Sequence, residues 1–561
     1  MGTTFSEVLQ TNYQENPDQV ILTLLEQGGD EQQLSYRELI DGANAYANIY
    51  KESGLQPGEV VILILQHGRD LINAFWGAVL YGVIPSIMPF LTEKLLPERY
   101  RQGLSSLISI TKPSAIVTYP DFREEIRSVL ENGSSVRALI LSDQISSPVP
   151  ADFDNLPGMF CDPKDIVLLQ HSSGTTGLQK GVALSHEAVF NQLNSYSKAI
   201  KLNKNDVIVS WLPLYHDMGL IAGFLMPILT GSHLVLMSPF EWVRAPYRLM
   251  QSISKYRGTL VWLPNFAYNF CAQKIRDRHL VDVDLSSWRA VINCSEPMRW
   301  DSQEIFLQRF APYGLRAEAI QTCYAMAENV FAVTQGGVDA PVKIDFVNRE
   351  ALQTKKIALV TNKHDPSAVK MLSAGKPIEG TRVRVVDDHG NELPERHIGE
   401  LIVCSNCMLT EYYHRPDVTK KAFLDGWYLT GDYGYIADGE VYITGRKKDL
   451  IIVGGKNIYP QDIEHLAMEV PGVHPGRVIA FGVFNEDAGT EDVVVVAEVD
   501  TDDPKGRQKI SDQVRQVITR GSDVIPRHVF LVDRHWIVKT SSGKKARSAT
   551  KDKYMKTLDN R

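Results

Sequence analysis

Short continuous apolar runs alternate along the chain with stretches whose apolar positions follow the helical period. Val60-Val61-Ile62-Leu63-Ile64-Leu65, Ala115-Ile116-Val117-Thr118-Tyr119 and Ala138-Leu139-Ile140-Leu141 read as strands buried on both faces. Tyr36 to Lys51, between the apolar runs, has helical spacing. The longest apolar run, Leu71 to Leu91, is broken by Asn73, Gly77, Gly82, Pro85 and Pro89. A membrane span needs about 20 predominantly apolar residues, so this run predicts a buried helix, a turn and a short buried strand. Strand–helix–strand alternation predicts an α/β protein whose parallel sheets are covered on both faces.

The C-terminal part follows a different pattern. Arg477–Val483 and Asp492–Val499 read as strands, Gln508–Arg520 as a helix and His528–Val532 as a strand, which together make a small α+β unit. The charged run Arg446-Lys447-Lys448-Asp449 separates the two patterns, so the expected division is 1–446 and 447–561.

Composition narrows the function. A chain of 561 residues is long enough for several domains. Lys+Arg number 59 against 67 Asp+Glu, a net charge of −8, which excludes a chain-wide basic surface for nucleic acid. Six cysteines are too few for a disulfide-built scaffold. The N-terminal residues show no basic region followed by an apolar one, so the expected setting is cytoplasmic, without membrane insertion. From Arg534 onward there are nine Lys/Arg and two Asp/Glu, a composition that by itself predicts a solvated tail.

The sharpest chemical signal is Leu168-Leu169-Gln170-His171-Ser172-Ser173-Gly174-Thr175-Thr176-Gly177-Leu178-Gln179-Lys180-Gly181. An apolar strand runs into a loop of glycines and hydroxyls closed by a lysine. Glycines let backbone N–H groups converge on an anion, hydroxyls add donors, and Lys180 adds charge. The loop is not of the Walker A type, because Gly181 stands where Ser or Thr is required. Two other patterns carry no metal. His186-Glu187-Ala188-Val189-Phe190 has Phe190 in place of the second zinc ligand, and Ser185 there reads as a helix cap. Cys404-Ser405-Asn406-Cys407 has no second pair nearby and reads as reduced thiols.

Ser172 to Gly181 resembles the phosphate-binding signature of the adenylate-forming superfamily: acyl-CoA synthetases, peptide-synthetase adenylation domains and luciferases. Further segments resemble that superfamily's motifs in the same order: Tyr324-Ala325-Met326-Ala327-Glu328, Tyr428-Leu429-Thr430-Gly431-Asp432, Gly445-Arg446-Lys447-Lys448-Asp449 and Lys539-Thr540-Ser541-Ser542-Gly543-Lys544. The resemblance implies two α/β subdomains plus a β-barrel, with a small mobile C-terminal domain. It implies ATP and Mg²⁺ as cofactors, and attack of a carboxylate on the α-phosphate. On that resemblance Lys544 bridges carboxylate and α-phosphate, Glu328 and Thr175 hold Mg²⁺, and His216 gates the carboxylate region. Ser172, Ser173, Gly174, Thr175, Thr176, Gly177 and Lys180 cradle phosphate. Cys294, Ser295 and Glu296 line the adenine pocket, with Tyr324, Ala325 and Met326 along the base. Thr322 meets phosphate, Asp432 accepts the ribose hydroxyls, Arg446 meets the ribose or phosphate edge, and Lys448 is the hinge.

Within the superfamily, Leu214-Tyr215-His216-Asp217-Met218-Gly219-Leu220 and Asn293-Cys294-Ser295-Glu296-Pro297 resemble the fatty acyl-AMP ligases. So does the long stretch of 46 residues between Glu328 and Gly375, with an insertion around 343–370. The resemblance implies that this insertion restrains the C-terminal domain and disfavours CoA. A fatty acid would then pass as acyl-AMP to the phosphopantetheine of an acyl carrier protein acting in trans. The acyl pocket is expected from Phe224, Trp242, Trp262 and Phe266. Arg547, Lys551 and Lys553 are expected to steer an acidic carrier, and the protein is expected to be a monomer or weak dimer. The alternatives are a fatty acyl-CoA ligase using free CoA and a catalytically silent nucleotide-binding protein.

Overall fold

The computed structural model describes residues 3–91, 97–130, 134–172, 180–454, 456–486, 490–522, 524–540 and 543–559. Local chemistry sets the early elements. Ser35 caps the helix Tyr36–Glu52 by accepting from the Glu38 N–H, and Glu38 returns the bond to the Ser35 N–H, a reciprocal capping box. Leu71 to Leu91 resolves as expected. The helix Arg69–Tyr81 ends at Gly82 in a left-handed conformation, and the buried strand Ile84–Ile87 follows.

Two large sheets carry the N-terminal part. One runs, edge to edge, Lys376–Pro377, Ala332–Gly336, Ile320–Ala325, Ala290–Asn293, Leu260–Leu263, Val207–Ser210, His233–Met237, Val20–Leu25, Glu31–Ser35. The other runs Glu411–Tyr412, Lys180–Ser185, Ile166–Ser172, Ile84–Ile87, Val60–Ile64, Ala115–Thr118, Ala138–Leu141. Their central strands are parallel and fully buried, which is why they read as unbroken apolar runs. A five-stranded antiparallel sheet, built around Gly399–Ser405 and Trp427–Ala437, follows. No helix among the described residues is long and apolar enough to cross a membrane.

The insertion forms the hairpin Ile344–Asn348/Ala368–Leu372. Its Val347 and Leu352 share a core with Tyr433, Tyr435 and Tyr442 of the antiparallel sheet and with Tyr459 of the C-terminal unit. Asp345 accepts from Tyr435 Oη at 2.8 Å and from Arg396 Nη1 at 2.9 Å, pinning the hairpin to the sheet.

Beyond Asp449 the chain builds its own cores on a sheet of Val473–Asn485, Thr490–Val499 and His528–Val532. One face packs Ile463, Val478, Val495 and Val514, and the other packs Phe481, Val494, Phe530 and Tyr554. The period-2 alternation of strand side chains makes both faces apolar.

The basic C-terminal segment is not a solvated tail. It folds as the helix Arg547–Asp559, and Tyr554 is buried under the sheet. Arg547 is engaged by Asp449 at 2.8 Å and Glu464 at 2.5 Å. Lys553 donates to the Trp536 carbonyl and lies 4.3 Å from its ring centroid. Of the three cations expected to steer a carrier, Arg547 thus has its charge paired with carboxylates inside the unit. The other small patterns behave as expected. Ser185 Oγ accepts from the Ala188 N–H, His186 Nδ1 accepts from the Phe5 N–H, and Cys404 and Cys407 are free thiols.

Candidate active site

The strands on either side of the glycine- and hydroxyl-rich segment pair with each other. Ile166–Ser172 and Lys180–Ser185 run antiparallel, with Ser172 opposite Lys180. Ser173, Gly174, Thr175, Thr176 and Gly177 lie outside the described residues, as does the side chain of Ser172. Lys180 Nζ sits 4.7 Å from the ring centroid of Tyr412. Tyr412 Oη donates to Glu328 Oε1 at 2.8 Å and lies 2.9 Å from Tyr428 Oη. Tyr412, which no motif marks, thus connects Lys180 to Glu328. Tyr412 reaches its place through the pairing of Glu411–Tyr412 with Val182 and Ala183, a contact across the chain that local sequence does not signal.

Glu328 follows Met326-Ala327 in a short 3₁₀ turn, and Val330 beside it has φ +60°. A β-branched residue pays for that conformation, and such strain gathers at functional sites. Burial pushes the Glu328 carboxyl above the usual range, against the Tyr412 hydrogen bond, and the negative charge of Asp217 adds to the rise. A lone buried carboxylate held up in this way gains from a cation, and Mg²⁺ accepts one or two carboxylates when phosphates supply the rest. The residue therefore fits the expected ion. Among the described residues no group of three or more acidic, His or Cys side chains forms a cage of its own.

A second corner gathers Tyr324, Asp432 and Arg446. Tyr324 Oη donates to Asp432 Oδ2 at 2.7 Å, Arg446 Nε lies 3.2 Å from Oδ1, and Thr430 Oγ1 accepts the Asp432 N–H. The strand pairing Asp432↔Arg446 puts the two side by side. A carboxylate has about four acceptor sites, so two remain for a diol.

The third corner is His216–Asp217. His216 Nδ1 lies 2.6 Å from Asp217 Oδ1, which also accepts the Met218 N–H at 2.8 Å. Burial pushes the Asp217 carboxyl up, yet His216 and then the charge of Lys544 outweigh it and hold the group below its usual range. The positive charge of Lys544, from the far end of the chain, is thus felt at Asp217. The next stretch, Met218–Leu225, is a π-helical segment packed hard on the loop before it. A Cβ on Gly219 would stand 2.3 Å from the Pro213 carbonyl oxygen, so only glycine allows that approach.

Not every expected residue joins these corners. Thr322 is fully buried, and a Cβ on Gly336 of the next strand would stand 2.8 Å from its hydroxyl, so it packs against the sheet interior. Cys294 is fully buried in the core, leaving only its backbone to a ligand, whereas Ser295 adopts φ +68° beside Met218. Glu296 accepts the Phe266 N–H at 3.0 Å, at the start of helix Asn265–Lys274. Ala325 and Met326 are half-buried.

The four acyl-pocket candidates divide. Trp242 stacks on Trp211 at 3.6 Å, and the exposed Phe266 meets both edge-on. Phe224 instead packs between Phe75 and Trp76, and Trp262 donates to Tyr196 Oη in the core. Phe266 is the one of the four that is exposed, and the other three are fully buried.

The C-terminal unit is fastened over the site. Arg299 Nη2 donates to the Gln461 carbonyl at 2.8 Å and to Asp462 Oδ1 at 3.0 Å, and Gln461 Nε2 reaches the Thr444 carbonyl. Lys448 stands at the junction. Burial, and next the charge of Arg446, lowers its ammonium to about 8, with Lys180 contributing. An incoming polyphosphate restores the charged form, so the complex holds more protons than the free protein between pH 8 and Lys448's ordinary value. ATP binding at pH 8.5 is therefore expected to take up protons, and affinity to fall as pH rises through about 8. Titration calorimetry in two buffers of different ionisation enthalpy reads the uptake. Equal enthalpies, or uptake unchanged in Lys448→Met, would remove Lys448 from the explanation.

Residues 9–413 match the family model for AMP-binding enzymes. The chain is 31% identical to a medium-chain-fatty-acid–[acyl-carrier-protein] ligase of Moorena producens, over 94% of this chain and 90% of that one. It is 30% identical to a long-chain-fatty-acid–AMP ligase of Mycolicibacterium smegmatis, covering 89% and 85%. A solved structure from studies of fatty acyl-adenylate ligases of E. coli and L. pneumophila superposes with TM-score 0.90 at 26% identity, covering 100% and 99%.

Proposed function

Because the chain belongs to the AMP-binding enzyme family, we propose that it joins a fatty acid to AMP and hands the acyl group to a carrier protein. A fatty carboxylate oxygen bonds to the α-phosphorus of ATP, the bond to the β,γ-phosphates breaks, and acyl-AMP and pyrophosphate form. The thiol of a carrier's phosphopantetheine then adds to the acyl carbonyl, and AMP leaves. Two anions meet in the first step, so the site must supply cations and oriented donors more than a base.

Each corner has a part in this reading. Lys544 spans the carboxylate and α-phosphate oxygens, with His216 at the carboxylate. Asp432 takes the ribose hydroxyls, and Arg446 the adjoining phosphate edge. Glu328 would hold Mg²⁺, which neutralises phosphate charge when bound. Trp242 and Phe266, with Trp211, are the wall offered to the acyl chain. The observation that carries the proposal is that the charge of Lys544, in the C-terminal unit, is felt at Asp217, the partner of His216.

The preference for a carrier over free CoA rests on the insertion. Val347 and Leu352 share a core with Tyr459, so the C-terminal unit is tied by apolar contact as well as by Arg299. Reorientation about Lys448 would have to break that core, and a carrier bound to the enzyme can offset the cost where a small thiol does not. Mass spectrometry of products from ATP, Mg²⁺ and a ladder of fatty acids tests this. Acyl-AMP alone, and acyl-carrier with a holo carrier protein, are expected. Abundant acyl-CoA with free CoA would replace the proposal by a CoA ligase, and no acyl-AMP at any chain length would leave a silent nucleotide binder.

A further inference from the structure

The C-terminal unit buries a charge cluster that none of these roles uses. Glu464, on the helix Pro460–Met468, is 3% exposed. Its carboxylate accepts the Ala480 N–H at 3.0 Å, Arg547 Nη2 at 2.5 Å and the Lys545 ammonium. Arg547 is fully engaged: Nη1 donates to Asp449 Oδ2 at 2.8 Å and Nε to the Ala480 carbonyl at 2.8 Å. Lys545 Nζ also donates to the Val478 carbonyl at 2.9 Å. Two acids and two bases make the cluster neutral. Desolvation makes buried ions a poor source of stability, and their best-attested use is to fix one arrangement among several.

The arrangement fixed here concerns Lys544. Lys545 and Arg547 follow it in sequence, Lys545 in a bridge with Lys539 and Arg547 at the start of the helix Arg547–Asp559. The Thr540 N–H donates to the Lys544 carbonyl at 2.8 Å, and the Lys544 N–H to Thr540 Oγ1 at 3.1 Å. At its other end the cluster holds Asp449, one residue past Lys448. Glu464 therefore stands between the lysine hairpin and the junction of the two parts of the chain.

We propose that Glu464 is a positioning residue for adenylation. Through Lys545 and Arg547 it locks the Lys544 hairpin to Asp449, so that Lys544 travels with the junction as one rigid arm and arrives beside His216 and Asp217. The proposal rests on the reading of Lys544 given above. Removing the Glu464 charge leaves Lys545 without its carboxylate and Arg547 with Asp449 alone, and the hairpin relaxes away from its place. A displacement of about 1 Å at a reacting group costs up to about 10²-fold in rate.

The test uses the full-length enzyme with Glu464→Gln, which keeps the shape and removes the charge. Acyl-AMP formation is expected to lose about 10–10²-fold in kcat with KM for ATP unchanged. Single-turnover transfer from isolated acyl-AMP to carrier thiol is expected to stay at the wild-type rate, and Glu464→Asp to recover part of the loss. A merely structural role would lower both half-reactions together. Should Glu464→Gln not fold, Asp449→Asn breaks only the junction side of the cluster and is expected to show the same selective loss. Unchanged adenylation, or equal loss of both half-reactions, overturns the positioning role. Lys544→Ala run in parallel separates the two ideas, because intact adenylation in that variant would instead overturn the reading of Lys544.

Discussion

Replacing Lys544 by alanine is expected to lower acyl-AMP formation by about 10²–10³-fold, the loss of about 3–4 kcal/mol of transition-state stabilisation that follows removal of one preorganised donor. The side chain is only partly buried, and its charge reaches the Asp217 corner across the cleft. Its removal is therefore expected to shift stability by no more than about 0.5 kcal/mol, and thermal unfolding checks this. Pyrophosphate exchange driven by fatty acid reads the first half-reaction. Transfer from supplied acyl-AMP is expected to continue, since no phosphorus–oxygen bond changes in that step. Exchange at the wild-type rate would take Lys544 out of the chemistry and leave the effect of its charge on Asp217 without a role.

The second large effect is expected at Asp432. Asparagine preserves the shape but turns one acceptor into a donor, facing either the Tyr324 hydroxyl at Oδ2 or Arg446 at Oδ1. A hydrogen bond to a charged group contributes about 1.5–3 kcal/mol, so Asp432→Asn is expected to lower kcat/KM for ATP by about 10–10²-fold. The loss should appear mainly in KM, because the ribose is held equally before and during reaction. The discriminating comparison is 2′-deoxy-ATP. Wild type is expected to prefer ATP, whereas the variant should treat the two nucleotides nearly alike, because the acceptor of the missing hydroxyl is already gone. A variant that keeps the full preference for ATP would mean that another group reads the ribose.

The candidate site was legible in unequal parts. Asp432 and Arg446 stand within marked sequence segments and pair across adjacent strands, so a local pattern carried them to one place. Glu328 was marked, but its partner Tyr412 was not, because that contact is made by strand edges far apart in sequence. Cys294 lies in a marked segment yet has its side chain in the core, since a motif does not say which residues face the cleft. Arg547 was read from charge alone as a surface residue. Burial against Glu464 and Asp449 shows that one-sided charge counting misses ions paired with distant partners.

The sequence by itself determined the order of elements, the buried parallel strands and the separate character of the C-terminal unit. All of these depend on periodicity or on residues adjacent along the chain, where apolar runs, capping residues and glycine-rich turns act locally. Tertiary structure alone decided which neighbours each of the aromatic residues Phe224, Trp242 and Trp262 meets. It also decided that the insertion packs on Tyr459, that Arg299 fastens the C-terminal unit, and that Glu464 joins the lysine hairpin to Asp449. Those are contacts between residues separated by tens to hundreds of positions. Their energy comes from burial and from charges brought together only when the chain closes, and no local pattern records it.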